Sequence, residues 1–462
     1  MATGASKTKW NSKSPASFLP AGTTDISLCY EGKRSEQDIL ATEPSSLHAL
    51  WSGTQKQEAN NFLYYGDNLP ILAFLLQNSA IRGKVQLIYI DPPFATNSVF
   101  QSRSQGDAYQ DLLVGTRYIE FLRERLILLR ELLAEDGSIY VHLDENMAFH
   151  IKIIMDEVFG KGNFRNWITR KKCNPKNYTR KTYGNISDFI LFYTKSDNYV
   201  WNRPVDEWTE EHSQKEYPCI DEETGRRYKK VPVHAPGTRN GETGKSWRGK
   251  LPPPGKHWQY QPQTLDEMDA RGEIYWSPSG NPRRKVYLDT SDGVPVQDIW
   301  LDVRDAHNQN IHVTGYPTEK NPDLLTRIVT ASSNKDDLVL DCFSGSGTTL
   351  AVASQLQRRW IGVDRSPEAI TTTLRRLAMG LEPMGDFVER EEILHYGEHT
   401  QEKSLWEDDD ETAAMYNALN VKKSWHGVSD FILSATQEST VYVEEILPEW
   451  LAWQQARPED GR

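Results

Sequence analysis

The stretch Leu338-Val339-Leu340-Asp341-Cys342-Phe343-Ser344-Gly345-Ser346-Gly347-Thr348-Thr349 limits what this chain can fold into more than any other. A buried-type strand enters a glycine turn, and a helical pattern (Leu350, Val352, Ala353, Leu356) follows. Gly345 and Gly347 permit backbone conformations and close approaches that side chains resist. A helix N-terminus behind such a turn offers N–H groups to a ligand. A phosphate loop needs Lys after its second glycine, where Thr348 stands. A dinucleotide fingerprint needs a third small residue, where Leu350 stands. A nucleoside with an amino-acid tail fits better, because it brings a carboxylate and no pyrophosphate. About one strand later, Trp360-Ile361-Gly362-Val363 delivers Asp364, placed to accept from ribose hydroxyls. Alone the glycine turn is a weak signal; strand, helix and Asp364 together point to a cofactor site.

The second signal is Leu87-Ile88-Tyr89-Ile90-Asp91-Pro92-Pro93-Phe94. A strand delivers a carboxylate into a turn stiffened by two prolines, each with fixed φ and no N–H. The Asp91 carboxylate and the Pro92 carbonyl then offer two acceptors to one planar amine, with the Phe94 ring to stack on its base. Taken by itself, the tetrapeptide is explained as well by a rigid strand-end turn with a core Phe.

Short strand-type runs at 61–65, 85–90, 138–142, 188–193, 337–341 and 359–363 alternate with helical patterns. The clearest helix covers 117–134, where Ile119, Leu122, Leu126, Leu129 and Leu133 recur at helical spacing, and Asp136-Gly137 is expected to close it. This alternation predicts a doubly wound, largely parallel sheet. Residues 196–300 differ: Pro232, Pro236, Pro252-Pro253-Pro254 and several glycines read as an irregular insert.

At 462 residues the chain exceeds one ordinary domain, and 38% apolar with 26% charged residues excludes wholesale disorder. No apolar run reaches the roughly 18 residues a membrane helix needs. Met1 to Trp10 lacks the apolar core of a signal peptide, so a cytoplasmic location is expected. Cys29, Cys173, Cys219 and Cys342 form no C-x-x-C pair, which argues against a disulfide framework or a structural zinc. The net charge of −12 hides a polarity: residues 161–285 sum to about +9 and residues 381–462 to about −13. In the basic stretch Trp167, Tyr183, Trp247, Trp258, Tyr260 and Trp276 interleave with Lys and Arg, offering phosphate neutralisation and stacking together. A solvated region with ordinary core aromatics accounts for that stretch equally well. The acidic run Glu407-Asp408-Asp409-Asp410-Glu411 reads as a linker, and 428–453 as partly ordered.

Together the two signals resemble the beta-class DNA amino-methyltransferases, which methylate exocyclic base nitrogens, over roughly residues 60–375. Asp91-Pro92-Pro93-Phe94 corresponds to the family's catalytic motif, and Phe343-Ser344-Gly345-Ser346-Gly347 to its cofactor motif. Tyr316-Pro317-Thr318-Glu319-Lys320-Asn321-Pro322 looks like the segment lying across the S-adenosylmethionine pocket. Tyr65-Gly66-Asp67-Asn68 is similar to the strand-end acid motif that contacts the cofactor adenine, and Asp364 matches the ribose-binding acid. The layout, with Val141 to Asn146, looks especially like type III restriction-modification methylation subunits. Cys342 departs from the frequent Pro, and Phe94 from the commoner Tyr, which removes a hydroxyl and keeps the stacking face.

The resemblance implies a Rossmann-like doubly wound methyltransferase sheet of circularly permuted motif order. Its divisions would be 1–60 as N-terminal extension, 61–195 as catalytic half, 196–300 as target-recognition insert, 301–385 as cofactor half and 386–462 as an acidic region of unknown role. It implies catalysis by Asp91, Pro92, Pro93 and Phe94, and S-adenosylmethionine held by Asp67, Asp91, Thr318, Lys320, Asp341, Phe343, Ser344, Gly345, Gly347, Thr348 and Asp364. Lys245, Trp247, Arg248, Arg283 and Arg284 are expected DNA contacts, since Arg and Lys can address guanine edges or phosphates. The base must leave the duplex to reach such a site. The sulfonium is already activated, so no metal is expected. The zinc deaminase set, H-x-E with P-C-x-x-C, does not occur. Asp at the first catalytic position favours adenine N6, with cytosine N4 open. A non-catalytic DNA-binding protein on this fold and an RNA or small-amine methyltransferase are the rivals. Double-stranded DNA is the expected partner, and a restriction subunit or a second protomer the protein partner.

Overall fold

The computed structural model describes residues 26–53, 60–93, 115–173, 181–305, 319–379, 428 and 430–455. Phe94, Thr318, the Tyr316-Pro317 pair and the acidic run 407–411 lie outside the described residues. The chain forms two compact units, one of residues 203–297 and one of the remainder.

The larger unit is built on a ten-stranded sheet. In spatial order its strands are Leu47–Ser52, Ile432–Thr436, Phe62–Tyr65, Arg359–Asp364, Leu338–Asp341, Val85–Ile90, Leu133–Leu143, Ser187–Thr194, Phe164–Lys171 and Ile299–Trp300. The six from Ile432–Thr436 to Leu133–Leu143 are parallel. Ser187–Thr194 runs antiparallel to both its neighbours. Val85–Ile90 is buried at every position, as a strand covered on both faces must be, and reads as a continuous apolar run.

Helices Asn68–Leu76, Thr116–Leu132 and Ala148–Phe159 cover one face, where Leu72, Leu122, Leu126, Ile151 and Met155 pack on Ile88, Ile90, Val141 and Leu340. Tyr140 points to the opposite face and hydrogen-bonds Ser332 of helix Pro322–Ser332. Helices Thr348–Gln355 and Pro367–Met379 accompany that helix. Leu338–Asp341 is the topological centre. The chain leaves it towards Arg359–Asp364, whereas neighbouring Val85–Ile90 leads away to Leu133–Leu143, and the crevice between diverging connections is where such sheets bind ligands.

One expectation needs correction, and two segments outside the expected methyltransferase halves join the sheet. The helix ends at Leu132, not at Asp136-Gly137, because Leu133 already pairs with Val85 while Ser138 pairs with Leu87; the residues between them bulge. A Cβ on Gly137 would lie 2.8 Å from the Leu133 side chain, so the glycine serves this bulge. The region after 386, acidic overall and read as partly ordered over 428–453, contributes to the sheet of the larger unit. Its Ile432–Thr436 segment is a sheet strand beside Phe62–Tyr65, and helix Thr440–Gln455 docks through the Trp450 indole N–H on the Leu374 carbonyl at 3.0 Å. Finally Leu47–Ser52, in the presumed extension, pairs with that strand, and Trp51 packs on Phe431 and Trp450.

The unit 203–297 holds more regular structure than its prolines suggest. It has a four-stranded sheet in the order Ile274–Trp276, Pro282–Tyr287, Arg227–Pro232, Cys219–Ile220, and its helices are Glu210–Glu216 and Pro262–Ala270. Its core is Val233, Trp247, Trp258, Leu265, Met268 and Ile274. Among the described residues no helix is long and apolar enough to cross a membrane, and no group of three or more His, Cys, Asp or Glu could hold a metal ion.

Candidate active site

Three carboxylates stand at the ends of three strands that run Arg359–Asp364, Leu338–Asp341 and Val85–Ile90 across the sheet centre. They are Asp364, Asp341 and Asp91. Asp91 follows the last strand residue, Ile90, and Pro92 after it is buried. The Asp91 Oδ2 meets the Lys320 Nζ at 2.8 Å. Its Oδ1 is buried and has no hydrogen-bond partner among the described residues. An unpaired buried acceptor costs free energy, and a donor entering the site recovers it.

The glycine turn is braced from within. The Gly345 N–H donates to Asp364 Oδ2 at 2.8 Å, and the Ser366 N–H donates to Asp364 Oδ1 at 2.8 Å. The Gly347 N–H donates to the Ser344 carbonyl at 2.8 Å. Gly345 and Gly347 have φ of 49° and 74°, in the left-handed region that favours glycine. A Cβ on Gly347 would lie 2.8 Å from the Thr373 hydroxyl, so helix packing requires this glycine. The two glycine N–H groups thus each have an acceptor inside the turn. The buried Ser344 hydroxyl has no partner among the described residues. Asp364 keeps further lone pairs for hydroxyl donors, since a carboxylate offers about four acceptor sites.

Asp341 is buried; its Oδ1 accepts from the Phe343 N–H at 3.0 Å and its Oδ2 from the Thr349 hydroxyl at 2.6 Å. Burial pushes its carboxyl up to about 7 against those two hydrogen bonds, and the charges of Asp91 and Asp364 add to the rise. Burial likewise raises Asp364, against the backbone N–H groups it accepts from. The Thr348 hydroxyl is committed to Arg376 Nη1 at 2.6 Å.

Asn68, Arg125 and Arg376, to which sequence reasoning gave no role, tie these parts together with Asp67, to which it did. Asp67 caps helix Asn68–Leu76 by accepting from the Leu69 N–H, and pairs with the buried Arg125 at 2.9 Å. Asn68 donates to the Cys342 carbonyl at 2.6 Å and accepts from Arg125, so it joins the Asp67 turn to the glycine turn. Arg125 lies over the Phe121 ring at 3.6 Å, and Phe121 meets Phe343. A cleft of about 430 Å³ opens beside these groups, lined by Asp67, Leu69, Thr116, Phe121, Arg125 and Arg365. Arg376, buried within helix Pro367–Met379, pairs with Glu319, the residue before Lys320. An arginine at a helical core spacing carried the only signal for it.

On the same sheet face as Asp91, two residues back by strand alternation, the Tyr89 hydroxyl bonds His142 Nδ1 at 2.8 Å. His142 Nε2 meets Asp188 at 2.9 Å, and Asp188 holds Arg170, which also takes Asp305 at 2.6 Å and the Val303 carbonyl.

In the smaller unit the expected DNA contacts separate. Trp247 is 1% exposed, donates to Asp266 at 2.9 Å and lies in the core, which corrects its reading as a surface stacker. Lys245 is paired with Glu242, and Arg248 with Asp266 and Asp269. Arg284 donates to the Tyr260 hydroxyl at 2.8 Å, on the core side. Arg283 is exposed. By the register of the sheet it shares a face with Tyr275, Lys230 and Lys285, and the Lys230 ammonium sits 3.6 Å from the Tyr275 ring.

Residues 85–375 match the family described as DNA methylase, of the N6/N4 type. The type II methyltransferase M.EcaI of Enterobacter cloacae is 47% identical over 374 residues, 80% of this chain and 81% of its own length. The type III restriction-modification enzyme StyLTI Mod subunit of Salmonella typhimurium is 27% identical over 357 residues, 68% of this chain, which spans only 52% of that relative. The solved M1.HpyAVI–SAM complex covers 68% of this chain and 98% of its own at 18% identity, with a TM-score of 0.38. With the parallel sheet, the permuted order of its parts and the profile match across most of the chain, the protein belongs to the N6/N4 family of S-adenosylmethionine-dependent DNA methyltransferases.

Proposed function

We propose that this methyltransferase acts on the N6 amine of an adenine flipped out of double-stranded DNA. The observation that carries the reading is Asp91: a strand-end carboxylate with one buried oxygen lacking a partner among the described residues, set in a turn that two prolines stiffen. The adenine amine would donate to Asp91 and to the Pro92 carbonyl. Its lone pair is delocalised into the ring, and these two acceptors favour the pyramidal, nucleophilic form. That is catalysis by positioning and preorganised electrostatics, with no strong base required. Asp rather than Ser at this position supports adenine over cytosine.

The residues fit the cofactor. Asp364 would take the ribose hydroxyls, and Asp67 beside the cleft the adenine. The Ser344 hydroxyl, without a partner among the described residues, and the Phe343 ring belong to the same turn. S-Adenosylmethionine supplies a methyl group on an activated sulfonium. Thr348 and Asp341 act through their internal hydrogen bonds, as braces of the turn.

For DNA contact, we place the weight on Arg283, Lys230 and Tyr275 rather than on Lys245, Trp247 and Arg248, whose side chains are already engaged. Cation and ring side by side suit phosphate and base faces together. A restriction subunit or a second protomer as partner rests on the type III relatives, and sedimentation with and without DNA tests it. The cytoplasm, where a bacterial-type substrate DNA lies, is the proposed location.

The deciding experiment is incubation with unmethylated DNA and methyl-labelled S-adenosylmethionine, followed by digestion to nucleosides and mass spectrometry. Label in N6-methyladenosine, lost in Asp91→Ala, is the expected result. Label in N4-methylcytosine would move the substrate to cytosine, and label only in RNA would remove DNA as acceptor.

A further inference from the structure

Helix Thr116–Leu132 presents two adjacent ridges to the cleft beside Asp67. Glu120 and Glu124 form one and Phe121 and Arg125 the other, each pair one helical turn apart. The second ridge holds Asp67, through the Arg125 guanidinium at 2.9 Å. The first holds the N-terminal segment Tyr30-Glu31-Gly32-Lys33-Arg34, which precedes the residues 85–375 that match the family. Glu31 and Gly32 line the cleft together with Asp67 and Leu69, so the N-terminal segment supplies part of its wall.

That turn is fixed on both sides. Before it, the Tyr30 hydroxyl donates to Glu120. After it, the Arg34 N–H donates to Glu120 Oε1 at 2.9 Å and the Arg34 guanidinium to Glu124 at 2.7 Å, while the Arg34 carbonyl accepts from Arg123 at 3.0 Å. Lys33 pairs with Glu157 of helix Ala148–Phe159 at 2.7 Å. Glu31 and Gly32, between these anchors, are exposed; Gly32 has φ of 84°, and a Cβ there would meet nothing within 4 Å. The turn is therefore held by its neighbours and faces open space. Exposed ion pairs contribute little to stability one by one, so their concentration on one short segment serves placement more than stability.

We propose that the Glu31–Gly32 turn is the outer wall of the adenine end of the cofactor site, supplied by a segment outside the family's matched region. This rests on the reading of Asp67 as the adenine contact. The adenine of a nucleoside has one N–H donor group, its exocyclic amine, so a carboxylate acceptor turns the amine edge of the ring towards itself. Both printed contacts of Asp67, from the Leu69 N–H and from Arg125, are made by Oδ1, which leaves Oδ2 for that amine. The ring edge then lies in the space that Glu31 and Gly32 line. The turn covers ring surface there and keeps water from it. Tyr30, Lys33 and Arg34 are positioning residues, which hold the wall on helix Thr116–Leu132. The methyl group sits at the other end of the cofactor, so the wall governs cofactor affinity and not the transfer step.

The first test is photolabelling of the full wild-type chain with 2-azido-S-adenosylmethionine, whose azide sits on the ring that bears the amine, followed by peptide mass spectrometry. Label within residues 30–33, competed by S-adenosylhomocysteine, is the expected result. Label at Leu69 or Phe121 with none in 30–33 would overturn the proposal and keep the adenine reading. Label in none of these places would overturn the reading of this cleft as the adenine site, and the proposal with it. The second test compares the steady-state kinetics of wild type and the double variant Lys33→Ala/Arg34→Ala. The KM for S-adenosylmethionine is expected to rise about tenfold, with kcat and the KM for DNA within about twofold of wild type. A segment that only supports the fold would instead lower kcat, through a smaller active fraction, and leave that KM unchanged. This outcome, or kinetics identical to wild type, would overturn the proposal.

Discussion

Glu319 and Lys320 are adjacent in sequence and pair with different elements, the carboxylate with Arg376 of helix Pro367–Met379 and the ammonium with Asp91 at the end of strand Val85–Ile90. The segment that leads into helix Pro322–Ser332 therefore ties that helix and that strand end together through paired charges.

Breaking the Glu319 pair leaves a buried guanidinium without its countercharge, since Arg376 is 1% exposed. Glu319→Gln should lower unfolding free energy by roughly 3–5 kcal/mol, and the double variant Glu319→Gln/Arg376→Met should recover much of that loss. Urea unfolding of the three chains checks this. Equal stability of single and double variants would contradict it.

Asp188 gives the acid limb of stability. Burial pushes its carboxyl up, but His142 and Arg170 more than reverse this and hold it well below the usual carboxylate range. A depressed folded value stabilises above the unfolded pKa of about 4 and loses that contribution as pH falls. Asp188→Asn should therefore be much less stable than wild type at pH 7, and the gap should close as pH drops below 4. Thermal midpoints across pH 3–8 measure it.

Asp341 has the opposite sign. Its folded value near 7 stands above the unfolded one, so its favourable contribution is complete below about pH 4 and is lost as pH rises through 7. Asn reproduces the protonated acid, accepting from the Phe343 N–H and donating to the Thr349 hydroxyl. The stability of Asp341→Asn relative to wild type should rise between pH 4 and 7 by up to about 1.4 kcal/mol per pH unit, then level off. A flat difference would show that the carboxyl titrates normally.

Gly347→Ala forces a side chain into φ of 74° and against Thr373. The left-handed conformation alone costs about 1–2 kcal/mol. Binding of labelled S-adenosylmethionine by equilibrium dialysis should weaken tenfold or more, with the sheet's far-UV signal retained.

In the smaller unit, Arg283→Ala should weaken DNA binding across sequences and reduce the salt slope by about one. Lys245→Ala, which removes an already paired side chain, should leave affinity within about twofold. Trp247→Ala should cost roughly 3–5 kcal/mol through the cavity left in the core, and show as lost near-UV signal of that unit.

The central strands were legible because burial on both faces writes a continuous apolar run, as in Val85–Ile90. Phe164–Lys171 was not, since Arg165, Asn166, Arg170 and Lys171 break its pattern; Arg170 is nonetheless buried, neutralised by Asp188 and Asp305. Asp91, Asp341 and Asp364 were found because strand, turn and acid are contiguous in sequence. Asn68, Arg125 and Arg376 were not, because their partners lie 274, 58 and 57 residues away and no local pattern encodes such pairs. The aromatics of the basic stretch were ambiguous for a further reason: Trp247 and Trp258 carry an N–H that needs a partner wherever they lie, so composition cannot separate a core indole from an exposed one.

The strand Phe62–Tyr65 lies between Arg359–Asp364 and Ile432–Thr436, both made about 300 residues or more after it. At ribosomal speeds of about 5–20 residues per second, it waits roughly 15–60 s with both edges open. Val85–Ile90, by contrast, can pair with Leu133–Leu143 within seconds. Synthesis thus completes the pairing of Val85–Ile90 with Leu133–Leu143 first and leaves Phe62–Tyr65 as unpaired apolar backbone until Arg359–Asp364 emerges. Until then that edge is open to pairing with other chains, and slow translation would lengthen the exposure.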